Sequence, residues 1–248
     1  MNIASDDWLA EIIGGNVYKL DLDQQELITV TQIVDHMCLS SPAMYFTKIP
    51  TYQVETTRKL SALGFEVIDV NVTFKRKPTR IEKVVSDSIQ FIVDGSSDHR
   101  ESILEIAETA FVYSRFHLDP NISNQIANTI KRRWIESYID GVRGERLILA
   151  MVDEKPAGFL AVLAVDQDGV SDRVIDLIAV DNNYRGLGIG KALVTAFTNM
   201  YVGMCDFLTV GTQIANIPSI RLYESSGFLL DKTSYVMHAH KKILEVRN

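Results

Sequence analysis

Thiols are scarce in this chain: Cys38 and Cys205 are its only cysteines among 248 residues. They stand far apart with no metal-ligand spacing around them, so neither a disulfide framework nor a metal site is expected, and a reducing compartment fits best. Long apolar runs are missing too. None approaches the roughly 20 residues needed to cross a bilayer, so no membrane span is expected. Met1 to Asp23 lacks a basic stretch followed by an apolar run, which argues against a secretory signal and for a cytoplasmic protein. Positive charge is in deficit, with 25 Lys and Arg against 32 Asp and Glu and a net charge of -7. That excludes a protein that coats nucleic acid, because phosphate binding relies on clustered cations. It leaves room for one anionic ligand in a local pocket. Glycine and proline are not in excess, so neither global disorder nor a fibre is expected.

The chain is long enough for one large or two small domains. Asn16 to Asp23 alternates polar and apolar residues as a half-buried strand would. Tyr52 to Leu63 has helical character and stops at Gly64, and Phe65 to Lys75 reads as a strand. The basic stretch Lys75-Arg76-Lys77-Pro78-Thr79-Arg80 is the best linker, which divides the chain into an accessory α/β domain, 1–78, and a second domain, 79–248. In the second, Ile89 to Val93 is a strand. Ser96, Ser97 and Asp98 offer N-caps for a helix carrying Ile103, Ile106, Ala107, Ala110 and Phe111. Ile126, Ile130, Trp134 and Tyr138 mark another helix, which Gly141 ends. Leu147 to Val152 and Ala157 to Val165 form a hairpin, and Val174 to Val180 is the next strand. A helix to about Tyr201, a strand from Phe207, a short helix from Pro218 and a strand from Phe228 complete the reading. Ser61-Ala62-Leu63-Gly64-Phe65 echoes Glu224-Ser225-Ser226-Gly227-Phe228, each followed by a strand. The echo suggests that the N-terminal part is a shortened copy of the C-terminal one.

The chemistry concentrates at Arg185-Gly186-Leu187-Gly188-Ile189-Gly190, where a strand gives way to a helix. Alternate glycines let the backbone approach a ligand and free consecutive N–H groups at the positive end of the helix, a site for phosphate or pyrophosphate. A dinucleotide fingerprint would need glycine at 191 or 193, which hold Lys191 and Leu193. A P-loop fails at Arg185 and Ala192.

The loop does resemble the pyrophosphate signature of the GNAT superfamily of N-acetyltransferases, Arg/Gln-x-x-Gly-x-Gly/Ala, through Arg185, Gly188 and Gly190. A second block, Asn216-Ile217-Pro218-Ser219-Ile220-Arg221-Leu222-Tyr223-Glu224-Ser225-Ser226-Gly227-Phe228, is similar to the same superfamily. The resemblance covers roughly residues 89–240. It implies the GNAT fold, an α/β (α+β) arrangement with a mixed central sheet flanked by helices; the internal echo then suggests that the N-terminal part is a truncated GNAT-like repeat without the glycine-rich turn. It implies acetyl-CoA as co-substrate and no metal. By the same resemblance the backbone of Ile178, Ala179 and Val180 would hold the pantetheine arm like an added strand. The N–H groups of Arg185, Gly186, Leu187, Gly188, Ile189, Gly190 and Lys191 would hold the pyrophosphate, and Asn216 would meet the thiol region. Tyr223 would protonate the departing thiolate, since a phenol of pKa near 10 keeps its proton at neutral pH. Asp176, two residues from Ile178 and so expected on the same strand face, is a candidate base, with His117 as the alternative.

Ser114-Arg115-Phe116-His117, at the exit of a helix, and a downstream Trp134-Ile135-Glu136 resemble the bacterial dTDP-fucosamine acetyltransferases. That likeness implies an acceptor wall at Ser114, Arg115 and His117, a nucleotide-linked amino sugar as acceptor, and Arg115 on its diphosphate. A homodimer is compatible with it. Two rivals stay open: an acetyltransferase of peptide N-termini, and a module that binds acetyl-CoA without consuming it.

Overall fold

The computed structural model describes residues 2–22, 30–39, 42–82, 88–94 and 97–241. Along the chain come β1 (Asn2–Ser5), α1 (Asp7–Ile13), β2 (Asn16–Asp21), α2 (Val30–Leu39), β3 (Ala43–Pro50), α3 (Val54–Ala62) and β4 (Glu66–Arg76). Then follow β5 (Gln90–Val93), α4 (Arg100–Ala110), α5 (Asn124–Ile139), β6 (Arg146–Val152), β7 (Lys155–Gln167) and β8 (Val170–Val180). The last are α6 (Ile189–Met200), β9 (Phe207–Gln213), α7 (Ile217–Ser225) and β10 (Leu229–Lys241). Ser96 lies outside the described residues.

Two compact units share these elements. The first holds residues 1–71 together with 115–126 and 233–248; the second holds 72–114 and 127–232. A division at residue 78 therefore assigns two later segments differently from the fold, because the second half of β10 pairs with β3, from Ser234 opposite Pro50 to Lys241 opposite Ala43. Nor is the basic stretch from Lys75 a free linker. β4 runs through Arg76, whose guanidinium bonds the Ser226 carbonyl and, at 3.0 Å, that of Thr79.

In the first unit β1 and β2 are antiparallel, β2 and β3 parallel, and β3 and β10 antiparallel. Leu20, Ile33, Tyr45, Ile49, Leu60, Phe65 and Met237 fill its core. β3 is buried over most of its length on both faces, so it shows no alternation for a sequence reading to find. Asp6 caps α1 by accepting from the Leu9 N–H, and Gly14 ends that helix in the left-handed conformation.

In the second unit β5, β6, β7 and β8 form an antiparallel meander, and β9 joins β8 in parallel, which makes an open mixed sheet. Asp153 and Glu154 both take positive φ, as do Asp168 and Gly169. Each pair is a two-residue hairpin turn of the hand that suits twisted strands. The second pair extends β8 back to Val170, beyond the expected start at Val174. One face of the sheet packs Ile148, Leu160, Ile175 and Val210 against Ile189, Leu193 and Phe197 of α6. The other packs Leu149, Phe159, Leu177 and Ala179 against Ile103, Leu104 and Ile135 of α4 and α5. The buried seam of α5 runs Ala127, Ile130, Lys131, Ile135 and Tyr138, while Ile126 and Trp134 lie at its margin.

Candidate active site

The site begins with an opening between two parallel strands. β8 pairs with β9 only from Asp172 opposite Phe207 to Ile175 opposite Val210. Beyond that point β8 keeps its other neighbour, with Leu177, Ile178, Ala179 and Val180 opposite Ala161, Leu160, Phe159 and Gly158 of β7. The Asp181 N–H bonds the Ala157 carbonyl at 3.0 Å, so residue 181 faces β7. Alternate residues of a strand point their main-chain groups to opposite edges. Ala179 and Leu177 then also face β7, and the N–H and C=O of Ile178 and Val180 face the opening. These are the groups an extended amide-bearing arm would pair with.

At the top of β8 the chain turns through Asp181, whose carboxylate accepts from the Asn183 N–H at 2.7 Å, and enters the glycine-rich loop. Gly186 and Gly188 both sit at φ 81, and a Cβ on either would meet nothing within 4 Å. They are glycines for backbone conformation, and the space around them is open. Gly188 is the N-cap of α6, and the first helical bond runs from the Ala192 N–H to its carbonyl at 3.0 Å. The N–H groups of Ile189, Gly190 and Lys191 thus lack an acceptor within the helix, at the positive end of its dipole. Gly190 has a different task. A Cβ there would stand 3.3 Å from Leu222 and 3.8 Å from Val180, so its smallness lets α6 approach α7 and the end of β8. Arg185 anchors the loop by donating to the Ala110 carbonyl at the end of α4, 3.1 Å away.

α7 supplies the other side. Asn216 caps it, its Oδ1 accepting from the Ser219 N–H at 3.3 Å. Tyr223 is 2% exposed, with ring centroids of Phe74 and Phe228 at 6.0 and 6.1 Å. Burial pushes its hydroxyl well above the usual phenol range, against a smaller opposing pull from Ser219, so the proton is held firmly at neutral pH.

Asp176 departs from expectation. Leu177 stands opposite Ala161 and Ile175 opposite Val162, so Asp176 is the residue of β8 with no partner on β7, a β-bulge. The extra residue breaks the alternation that would have put Asp176 on the face of Ile178. Ile178 and Val180 pack on the α6 side, whereas Asp176 reaches the α5 side. There its Oδ2 accepts from Trp134 Nε1 at 2.9 Å, Tyr138 OH at 2.7 Å and Arg143 Nε at 2.9 Å. Burial, and next to it the Asp176 charge, raise the Tyr138 hydroxyl. Three donors, one of them cationic, thus converge on one oxygen of the candidate base, on the sheet face opposite Ile178 and Val180.

The acceptor-wall residues divide between the units: Ser114 is buried in the second, Arg115 and His117 belong to the first. Arg115 lies 4.0 Å over the Phe46 ring and 4.4 Å over that of Phe116, and its Nη1 is 3.2 Å from His238 Nε2. Burial draws its pKa down to about 10. It is therefore packed into its own unit rather than held out in solvent. Sequence reasoning passed over its neighbours Asp119, His238 and His240. Asp119 Oδ2 accepts from His238 Nδ1 at 2.6 Å and His240 Nε2 at 2.7 Å. Since a guanidinium only donates, His238 Nε2 must accept, and the His238 proton sits on Nδ1. Burial holds His238 down to about 4, so it is neutral. Those three side chains cluster closely enough to hold a cation. With Nδ1 protonated and Arg115 against Nε2, however, the arrangement is a hydrogen-bonded relay, and a metal would need the lone pair that the proton occupies. No pattern of spacing could have revealed it, because Asp119 and His238 meet only through the fold.

The profile of the Acetyltransferase (GNAT) family matches residues 101–228. The spore coat polysaccharide biosynthesis protein SpsD of Bacillus subtilis is 31% identical over 139 residues, 56% of this chain and 46% of that protein. Human N-alpha-acetyltransferase 30 is 40% identical over 87 residues, 34% of this chain and 24% of that protein. The chain thus spans under half the length of these curated relatives. Among solved structures, a GCN5-related N-acetyltransferase from Sphaerobacter thermophilus superposes with a TM-score of 0.62 at 12% identity, over 96% of this chain and 75% of that one. A tandem GNAT protein from the clavulanic acid biosynthesis pathway also gives 0.62, at 13% identity, over 92% and 76%. At such identities the likeness shows the fold. With the loop and the open strand edge, a family match across half the chain places it: the chain belongs to the Acetyltransferase (GNAT) family.

Proposed function

We propose that the chain transfers acetyl from acetyl-CoA to the primary amine of a nucleotide-linked amino-deoxy sugar, by direct attack. The observation that carries acetyl-CoA placement is the edge of β8 at Ile178 and Val180, past its pairing with β9, running into the N–H groups of Ile189, Gly190 and Lys191, which have no acceptor within α6. The arm pairs with the edge and the pyrophosphate caps α6. The amine attacks as its free base, its nitrogen bonding the carbonyl carbon. The developing oxyanion is met by a main-chain N–H near Val180. The carbon–sulfur bond then breaks, the Tyr223 hydroxyl gives its proton to the thiolate, and the ammonium proton lost to solvent is matched by one returned to the Tyr223 phenolate. Asn216 stands at the start of the same helix, beside the thiol end of the arm. The polysaccharide-biosynthesis name of the Bacillus subtilis relative supports a sugar acceptor.

Acetylation of peptide N-termini is the second reading, favoured by the identity shared with human N-alpha-acetyltransferase 30. Thiol release from acetyl-CoA, followed with a panel of nucleotide-linked amino sugars and of short peptides, separates the two. Sugar-dependent release is expected, and turnover with peptides alone would overturn the sugar reading. Tyr223→Phe should lower kcat by about 10²-fold or more while leaving acetyl-CoA affinity intact. An unchanged rate would remove Tyr223 from the mechanism.

A further inference from the structure

The β8 edge that receives the pantetheine arm depends on an irregularity one residue before it. Asp176 is inserted between Ile175, which still pairs with β9, and Leu177, the first residue of the free segment. Remove that insertion and every later residue of β8 changes face and changes edge, since the strand period is two. Ile178 and Val180 would then turn their N–H and C=O toward β7 and away from the opening. A bulge costs a ladder hydrogen bond, so something must favour it over a regular strand. The chain provides that at one atom. Asp176 Oδ2 collects the indole N–H of Trp134, the hydroxyl of Tyr138 and the guanidinium of Arg143. Two of these donors lie one turn apart on α5, and the third lies just past its end. All three reach the carboxylate only if Asp176 points to the α5 face.

We infer that Asp176 is a positioning residue, whose carboxylate, pinned by Trp134, Tyr138 and Arg143, fixes the bulge that turns the main chain of Ile178 and Val180 toward acetyl-CoA. This rests on the placement of acetyl-CoA proposed above. It also predicts a division of labour within the second unit. α5 acts on the cofactor through the strand, without touching the cofactor itself.

The test is calorimetric titration of the full chain with coenzyme A, together with initial rates at varied acetyl-CoA. Asp176→Asn keeps the size of the side chain and loses the charge that draws the donors in. Its Kd for coenzyme A and its KM for acetyl-CoA should both rise by about tenfold or more. The kcat–pH profile should keep the wild-type shape. Tyr138→Phe and Trp134→Phe, which each remove one donor and carry no titrating group of their own near neutrality, should weaken coenzyme A in the same direction by less. They also decide the matter should Asp176→Asn fail to fold. Wild-type affinity in folded Asp176→Asn, or in both single-donor variants, would overturn the inference. So would unchanged affinity with loss of the acid limb of the profile, which would restore Asp176 as the base. A wild-type chain that fails to bind coenzyme A would instead strike at the proposed placement of acetyl-CoA, and separates that failure from this one.

Discussion

At Asp69 the fold leaves a carboxylate almost without compensation. The residue is 6% exposed, and among the described residues its Oδ2 has no hydrogen-bond partner. Burial raises its pKa to about 6, against smaller opposing pulls from the Val70 N–H and from Lys48. The folded chain therefore holds this proton more tightly than the unfolded chain does. The contribution is fully present below the unfolded value near 3.8 and is lost as pH rises through about 6. Above that, ionised Asp69 destabilises by up to about 3 kcal/mol. Asp69→Asn removes the ionisation, so at pH 7.5 its melting temperature should exceed that of the wild type. At pH 4.5 the difference should shrink or vanish. Thermal unfolding at the two values checks this, and a gain that ignores pH would place the cause elsewhere. Asp69 and Asp176 show opposite fates of a carboxylate on a strand. One is buried with a nearly bare oxygen, while the other is met by three donors, and the sequence around each gives no sign of which is which.

Among elements, the glycine-rich loop and its echo are the most informative. Gly188 sits at φ 81 with open space where a Cβ would point. An alanine there strains the backbone by about 1 kcal/mol, and it also enters the space proposed for the diphosphate. Gly188→Glu adds a negative charge at the same place and should abolish coenzyme A binding by calorimetry while the chain remains folded. Tight binding by that variant would move the cofactor elsewhere. This loop was legible because it needs particular residues at fixed spacing. The echo was legible for the same reason, and it extends further than the words that revealed it. The bond from the Gln53 N–H to the Pro50 carbonyl, 2.9 Å, recurs from Asn216 to Gln213, also 2.9 Å. The Phe65 N–H bonds the Leu60 carbonyl at 3.1 Å, and the Phe228 N–H bonds that of Tyr223 at 3.0 Å. Helix α3 in one unit thus shares these turn bonds with α7 in the other, although Asn216 caps α7 with its side chain and Gln53 does not cap α3. The first unit carries Gln53 where the second has Asn216, and Leu60 where it has Tyr223, so the local turn bonds recur and the candidate chemistry does not. What escaped the sequence was of a different kind. α1 and β1 are too short for periodicity to register, and β3 is buried on both faces. The bulge at Asp176 is invisible because the residue reads as part of an unbroken strand until its partner's register is known.

Over the whole molecule, the chain's linear order and its compact units disagree, and that disagreement can be tested. β4 contributes residues 66–71 to the first unit and 72–76 to the second. Val72 and Phe74, each 2% exposed, belong to the core around α6 that also contains Tyr223 and Phe228. Segments 115–126 and 233–241, although they follow much later, belong to the first unit, where Met237 and Ala239 pack with Tyr45 and Leu60. A chain that starts at residue 79 would keep the whole glycine-rich loop and the second signature block, and by sequence alone it looks like a complete catalytic domain. It would nevertheless lose two core side chains from the second unit and leave the apolar face of late β10 uncovered. Truncating one buried phenylalanine costs about 3–5 kcal/mol. That is already comparable to the whole stability of many domains. The fragment 79–248 should therefore lack a cooperative thermal transition and near-ultraviolet ellipticity, and should not bind coenzyme A. Phe74→Ala in the full chain should lower stability by about 3 kcal/mol yet still bind coenzyme A at low temperature. A fragment that melts cooperatively and binds coenzyme A as the full chain does would mean that β4 is dispensable to the second unit. In that case the cut at residue 78 would mark a true boundary after all.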